Sequence, residues 1–247
     1  MSYDSNPYAA PRNSYEAAAA FAAESERTAF IRRTYAHLGA AILAFAAIEF
    51  LLFAIVPAET LDGMMRMLAG NRFGWLIFLG GFMVVGWVAR SWAQSDASIG
   101  KQYLGLSLYV VAEALMFMPL LYIANAYCGG DVIASAGVLT LIIFGGLTLV
   151  TMVTKVDFSG IGSYLAWGGI LAMGVIVAAI FFQFSLGMWF SVAMIGLASG
   201  YILYDTSNVM RHYRTDQHVA ASLALFASVA VLFWYVLRLL MSLSSRD

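Results

Sequence analysis

The chain has 247 residues, 62% of them hydrophobic and 11% charged, with a formal net charge of −1. Soluble domains run about 45–50% apolar and about 25% charged, so this composition is that of an integral membrane protein. The near-zero charge leaves no electrostatic footprint for nucleic acid, and the single cysteine, Cys128, excludes an intrachain disulfide and a cysteine-based metal cluster.

Residues 1–28 are polar and Ala-rich, with Pro7 and Pro11, and lack the charged, apolar and cleavage regions of a signal peptide. We read them as a largely disordered cytoplasmic segment ahead of a transmembrane domain over 29–247. Asn13, with Glu16 three residues on, has the spacing to cap a short helix over 17–23. Seven apolar segments follow, at 36–56, 74–93, 103–124, 132–154, 164–184, 188–210 and 218–242. About 20 apolar residues cross a bilayer as a helix, so each is expected to span. The fold class is therefore an all-α integral membrane protein with seven transmembrane helices and short connections. Pro119 removes a backbone bond in the third span and should bend it near Leu115. Gly80-Gly81, Gly145-Gly146 and Gly168-Gly169 mark close-packing points.

Lys and Arg set the orientation. Arg12, Arg27, Arg32 and Arg33 precede the first span, and Lys101, Lys155, Arg211 and Arg214 lie in the second, fourth and sixth connections. Only Arg66, Arg72 and Arg246 lie on the other side. The amino terminus is thus expected in the cytoplasm, and the carboxyl terminus outside if the last segment spans.

Charges inside spans are expensive and mark function by default. Asp205 lies five residues before the end of the sixth span, roughly 7–8 Å inside it. The same helix carries Gly196 and Gly200, a spacing that lets a neighbour approach closely. Asp205 points about 180° from Gly196, so this helix is expected to have protein on both sides. By depth, Asp205 matches Arg90 in the cytoplasmic half, and Glu49 matches Arg238 in the outer half, giving two candidate pairs. Snorkelling of each arginine to the interface is the competing reading. Glu113, mid-depth in the third span, has no partner at its height and is read as a neutral acid bonded across helices ahead of a transport group.

No phosphate-binding loop, dinucleotide fingerprint, H-E-x-x-H or G-x-S-x-G motif is present. Only one aspartate lies within a span, against the two that intramembrane aspartyl proteolysis needs. The spacing of His37, His212 and His218 is not that of a metal site. No enzyme activity, cofactor or resident metal is expected.

The run Thr154-Lys155-Val156-Asp157-Phe158-Ser159, with Gly160 to Leu165, resembles the "TK-x-DF-S…G…L" connection between spans four and five of the transmembrane Bax inhibitor motif family. Gly200 to Thr206, with Tyr204 and Asp205, resembles that family's sixth-span ending, and Leu232 to Leu240 its "LF-x-Y-LLRLL" seventh-span ending. Glu113 falls where the family's third span often carries an acid. The resemblance covers residues 30–243. It implies a seventh helix at the centre of the other six. It also implies a calcium or cation leak channel or pH-responsive sensor in a bacterial inner membrane, or else a non-conducting regulator that binds a membrane-anchored AAA protease. Calcium would be the transported ion, and Asp205 its one candidate contact. The family's proposed sensor is a pair of aspartates, on spans six and seven. Asp205 matches the first, but the second position is Ser228, and the family's frequent Asn three residues on is Val231. Two close carboxylates share a proton and titrate as a unit. With Ser228 that coupling is absent, and a calcium ion, which takes six to eight oxygens, finds a poor donor set. On this reading Asp205 is the key residue, its depth-matched Arg90 the latch and Ser228 a degenerate partner.

Overall fold

The computed structural model describes residues 22–244, apart from 71, 96–97 and 155. The cap expected from Asn13 and Glu16, the motif residue Lys155 and the terminal Arg246 lie outside the described residues. Eight α-helices follow in order: α1 Glu24–Ile55, α2 Ala58–Gly70, α3 Arg72–Ala93, α4 Ile99–Cys128, α5 Gly130–Thr154, α6 Gly162–Phe182, α7 Met188–Arg211 and α8 His218–Ser244. Seven of them are long and apolar enough to cross a membrane, and they coincide with the seven apolar segments of the sequence. α1 begins at Glu24, ahead of the boundary drawn after residue 28. α4 runs from Ile99 through Pro119 to Cys128 as one helix.

α2 is the element that the spans alone do not announce. Its 13 residues give a rod of roughly 20 Å, short of the ~30 Å apolar core of a bilayer. Leu61 and Leu68 are buried, and Tyr122 of α4 donates a hydrogen bond to Asp62 at 2.5 Å. These contacts hold α2 against α3 and α4.

α8 is the centre. Of its most apolar stretch 78% is buried, against 11% for α3 and for α6. Its residues are apolar or small on every side, His-Val-Ala-Ala-Ser-Leu-Ala-Leu-Phe-Ala-Ser-Val-Ala-Val. Such a helix belongs in an interior. α1, α3, α4, α5 and α7 pack directly on it, and α6 closes the ring through α7 and α3. Outward-facing residues such as Leu43, Phe50, Trp87 and Trp167 remain exposed, as expected of side chains that meet lipid.

The tightest seam joins α3 to α4. A Cβ on Gly105 would lie 2.5 Å from the Ala89 carbonyl oxygen and 2.6 Å from the Ala93 nitrogen. The two backbones touch there, which fixes the height of Arg90. On α7, Gly200 meets Leu165 of α6, where a Cβ would lie 2.7 Å from Leu165 Cδ2, while Gly196 has open space around it. Only half of the G-x-x-x-G spacing is used for packing inside the bundle.

Candidate functional site

Asp205 lies near the end of α7, at the end of the bundle where α1, α4 and α8 begin. It is buried, and so is Ser228 of α8. The Ser228 hydroxyl donates to Asp205 Oδ2 at 2.5 Å. This bond joins the two most extensively packed neighbours in the fold. A cavity of about 190 Å³ opens beside it, lined by Arg90, Gln94, Tyr201, Asp205, Tyr213 and Ser228 together with small apolar residues of α8. Thus Asp205, Ser228 and Arg90 come together in one place.

Arg90 reaches this cavity without ion-pairing to Asp205. Its guanidinium donates to the Tyr109 hydroxyl at 3.4 Å and lies 5.6 Å from the centre of that ring. Its side chain remains accessible. The Arg90–Asp205 pair of the sequence reading is therefore a shared cavity, in which the cation is held one residue away by a phenol. Tyr109 also faces the Glu113 carboxyl, one turn further along α4. Glu113 is buried and does not line the cavity.

The outer pair does not form. Arg238 donates to the Leu186 carbonyl at 3.0 Å, tying α8 to the α6–α7 connection. Glu49 is buried, and neither carboxylate oxygen has a hydrogen-bond partner among the described residues. It follows Phe45 by one turn on the face of α1 that packs on α4 and α8. Phe45 meets Phe117 edge-on at 5.1 Å, and Phe117 stacks on Phe233 at 5.4 Å and meets Trp234 at 5.0 Å. Glu113 lies one turn before Phe117 and Glu49 one turn after Phe45, on helices that start at the same end. An aromatic layer therefore lies between Glu113 and Glu49.

The α5–α6 connection docks on the end of α7. Asp157 accepts from the Ser159 amide at 2.9 Å, opening a short 3-10 turn over Ser159–Ile161. It lies 3.8 Å from Arg211. The hydrogen bonds from Ser159, then the Arg211 and His212 charges, hold its carboxyl below the usual aspartate range. The Phe158 amide donates to Ser207 of α7 at 3.0 Å. A Cβ on Gly162 would lie 2.6 Å from the Tyr204 ring, so the glycine is what lets Tyr204 lie flat on the start of α6. The run from Asp157 to Gly162 and the Tyr204–Asp205 ending are thus two sides of one contact.

Sequence reasoning missed Tyr109, Tyr201, Tyr213 and Gln94. Tyr213 carries the clearest sign of the site. Burial against the cavity, then the nearby Asp205 charge, pushes its phenol above the usual range. A tyrosine placed directly after the basic Arg211-His212 pair was the available signal.

The fold and cavity define a multi-pass helical membrane protein with a central helix and a buried aspartate hydrogen-bonded across to it. The sequence matches the family described as "Inhibitor of apoptosis-promoting Bax1" over residues 27–245, and the chain belongs to that Bax inhibitor family. It is 31% identical to an uncharacterized protein of Campylobacter jejuni, covering 90% of this chain and 92% of that one. It is 27% identical to an uncharacterized protein of Pseudomonas aeruginosa, covering 91% and 94%. It is 29% identical to "Bax inhibitor 1" of Schizosaccharomyces pombe, covering 91% and 80%.

Proposed function

We propose that this chain is a calcium or cation leak protein, or a pH-responsive sensor, of a bacterial inner membrane, here in its closed form. Asp205 is the group that meets the ion or proton. The supporting observation is the Asp205–Ser228 hydrogen bond at the wall of a polar cavity that Arg90 also lines. A buried aspartate with one hydroxyl donor and an arginine held nearby has the chemistry to exchange a proton or a weakly held cation. Arg90, engaged by Tyr109, is free to turn toward Asp205 when its charge changes. The reading includes no enzyme activity and no resident cofactor.

A second reading has its own support. The aromatic layer above Glu113, with a serine in place of a second acid, suits a non-conducting regulator that acts on a membrane-anchored AAA protease or other membrane machinery.

Calcium flux into proteoliposomes from pH 5 to 8 separates the two. In the conducting reading the wild type passes calcium, Asp205→Asn lowers the flux, and Ser228→Asp adds a pH response, because two adjacent carboxyls titrate as a coupled unit. Unchanged flux in Asp205→Asn removes that residue from the mechanism. No flux in any folded variant favours the regulator.

A further inference from the structure

Four threonines lie on α5, and three of them fold back onto their own helix. Thr140, Thr151 and Thr154 each donate to the carbonyl four residues earlier, at 2.7, 2.9 and 2.7 Å. Thr148 does not. Its hydroxyl is buried and has no hydrogen-bond partner among the described residues. The same holds for the hydroxyls of Thr206 on α7 and Tyr35 on α1.

These three hydroxyls face one another. The Tyr35 phenol looks onto the side chains of both Thr206 and Thr148, yet no pair among the three hydrogen-bonds. Thr206 is 0% exposed and Thr148 9%. The Tyr35 ring packs against the buried cluster that includes Phe226 and Val209, and its hydroxyl oxygen is sealed from solvent. Buried polar atoms in folded proteins are hydrogen-bonded, to protein or to ordered water. Three such atoms from three helices, close together but unbonded, are spaced for a shared partner.

We propose that Tyr35, Thr148 and Thr206 form a binding site for one water molecule, which ties α1 and α5 to α7 at the residue after Asp205. A buried water makes about three hydrogen bonds, and three hydroxyls supply that number. Each hydroxyl can donate or accept, which suits a ligand that does both. A calcium ion does not fit, because it takes about six to eight oxygens and this group offers three neutral ones. The bound water fixes the stretch of α7 that carries Asp205 against two neighbouring helices. The site is separate from the Asp205 cavity, whose lining includes none of the three residues, and it does not depend on whether the protein conducts.

The test uses the full chain in detergent and two readouts. X-ray footprinting makes hydroxyl radicals from bound as well as bulk water, so a side chain beside an ordered water is oxidised. Tyr35 is expected to be oxidised in the wild type and to lose most of that label in Thr148→Val and in Thr206→Val, while Tyr164, exposed on α6, keeps its own. Thermal unfolding reads the hydrogen bonds. Tyr35→Phe, Thr148→Val and Thr206→Val are each expected to lower the midpoint by about 2–4 °C. The triple variant should fall no further than the worst single one, because the first substitution already releases the water. If Thr206→Val does not fold, Thr148→Val decides alone. A dry group gives the opposite result and overturns the proposal: each substitution removes an unbonded polar atom, the midpoint rises, and the rises add. Tyr35 labelling that is unchanged in the threonine variants also overturns it. So does a wild-type midpoint that moves when choline replaces sodium, which would make the occupant a cation.

Discussion

Asp205 meets Ser228 because each lies where its helix turns a buried face toward the other. Both positions followed from the sequence, Asp205 as a charge in a span and Ser228 as the slot where a second acid is absent. Arg90 arrived at the right height but with Tyr109 as its partner. The Glu49–Arg238 pair failed for a related reason. Counting residues from a span end gives depth alone and leaves the angle around the bundle unknown. Arg238 points toward the α6–α7 connection, while Glu49 points toward α4 and α8, so equal depth brings no contact. Glu49 is left with two buried oxygens unbonded, and a buried polar group without a partner costs about 1–3 kcal/mol. Glu49→Leu keeps the volume and removes the burden. Its apparent stability in detergent should therefore rise by roughly that amount, read as a higher thermal midpoint. A fall of similar size would mean that the carboxyl has a stabilising partner. Calcium flux in this variant should match the wild type, because the aromatic layer separates Glu49 from the cavity.

At the level of elements, apolar length predicted seven spans, and their ends fall within four residues of the helices except at α1, which starts at Glu24 rather than at residue 36. What it did not predict was which glycines do the packing. Gly196 and Gly200 have a recognised spacing, yet only Gly200 meets a neighbour. Gly105 stands alone in its span, without a small residue four positions away to signal a seam, yet among the described glycines it makes the closest approach to a neighbouring helix. α2 was hidden because it is too short to span and too polar on one face to register as apolar. Gly105 also ties the elements to the site, since its contacts are the backbone of Ala89 and Ala93 on either side of Arg90. Gly105→Ala should force α3 and α4 apart. Overpacking of this kind costs about 1–3 kcal/mol, and the obstruction here is backbone, which has no rotamer to yield. The expected result is a lowered thermal midpoint, together with an altered calcium flux. Ser107→Ala, on an exposed position of the same helix, is the control that should change neither. A Gly105→Ala protein as stable as the wild type would mean that the seam opens without cost.

For the whole molecule, seven crossings would put the two ends of the chain on opposite sides of the bilayer. α1, α4, α6 and α8 begin at one end, where Arg32, Arg33, Lys101, Arg211 and Arg214 gather. The far end carries α2, with Arg66, and the start of α3. Excess Lys and Arg mark the cytoplasmic side of short connections, so the Asp205 cavity and the Tyr35–Thr148–Thr206 group should both lie toward the cytoplasm. Cys128 ends α4 at the far side and is partly accessible. Being the chain's one cysteine, it is a ready reporter. In intact cells a membrane-impermeant maleimide should label Cys128. In a Cys128→Ser background, Asp157→Cys, on the connection that docks against α7, should stay unlabelled until the membrane is permeabilised. The reverse pattern would turn the molecule over and place the cavity on the outer face, where it would sample external rather than cytoplasmic pH and calcium. Labelling of both positions in intact cells would mean that fewer than seven helices cross, and the carboxyl end of α8 would then return to the side from which α1 enters.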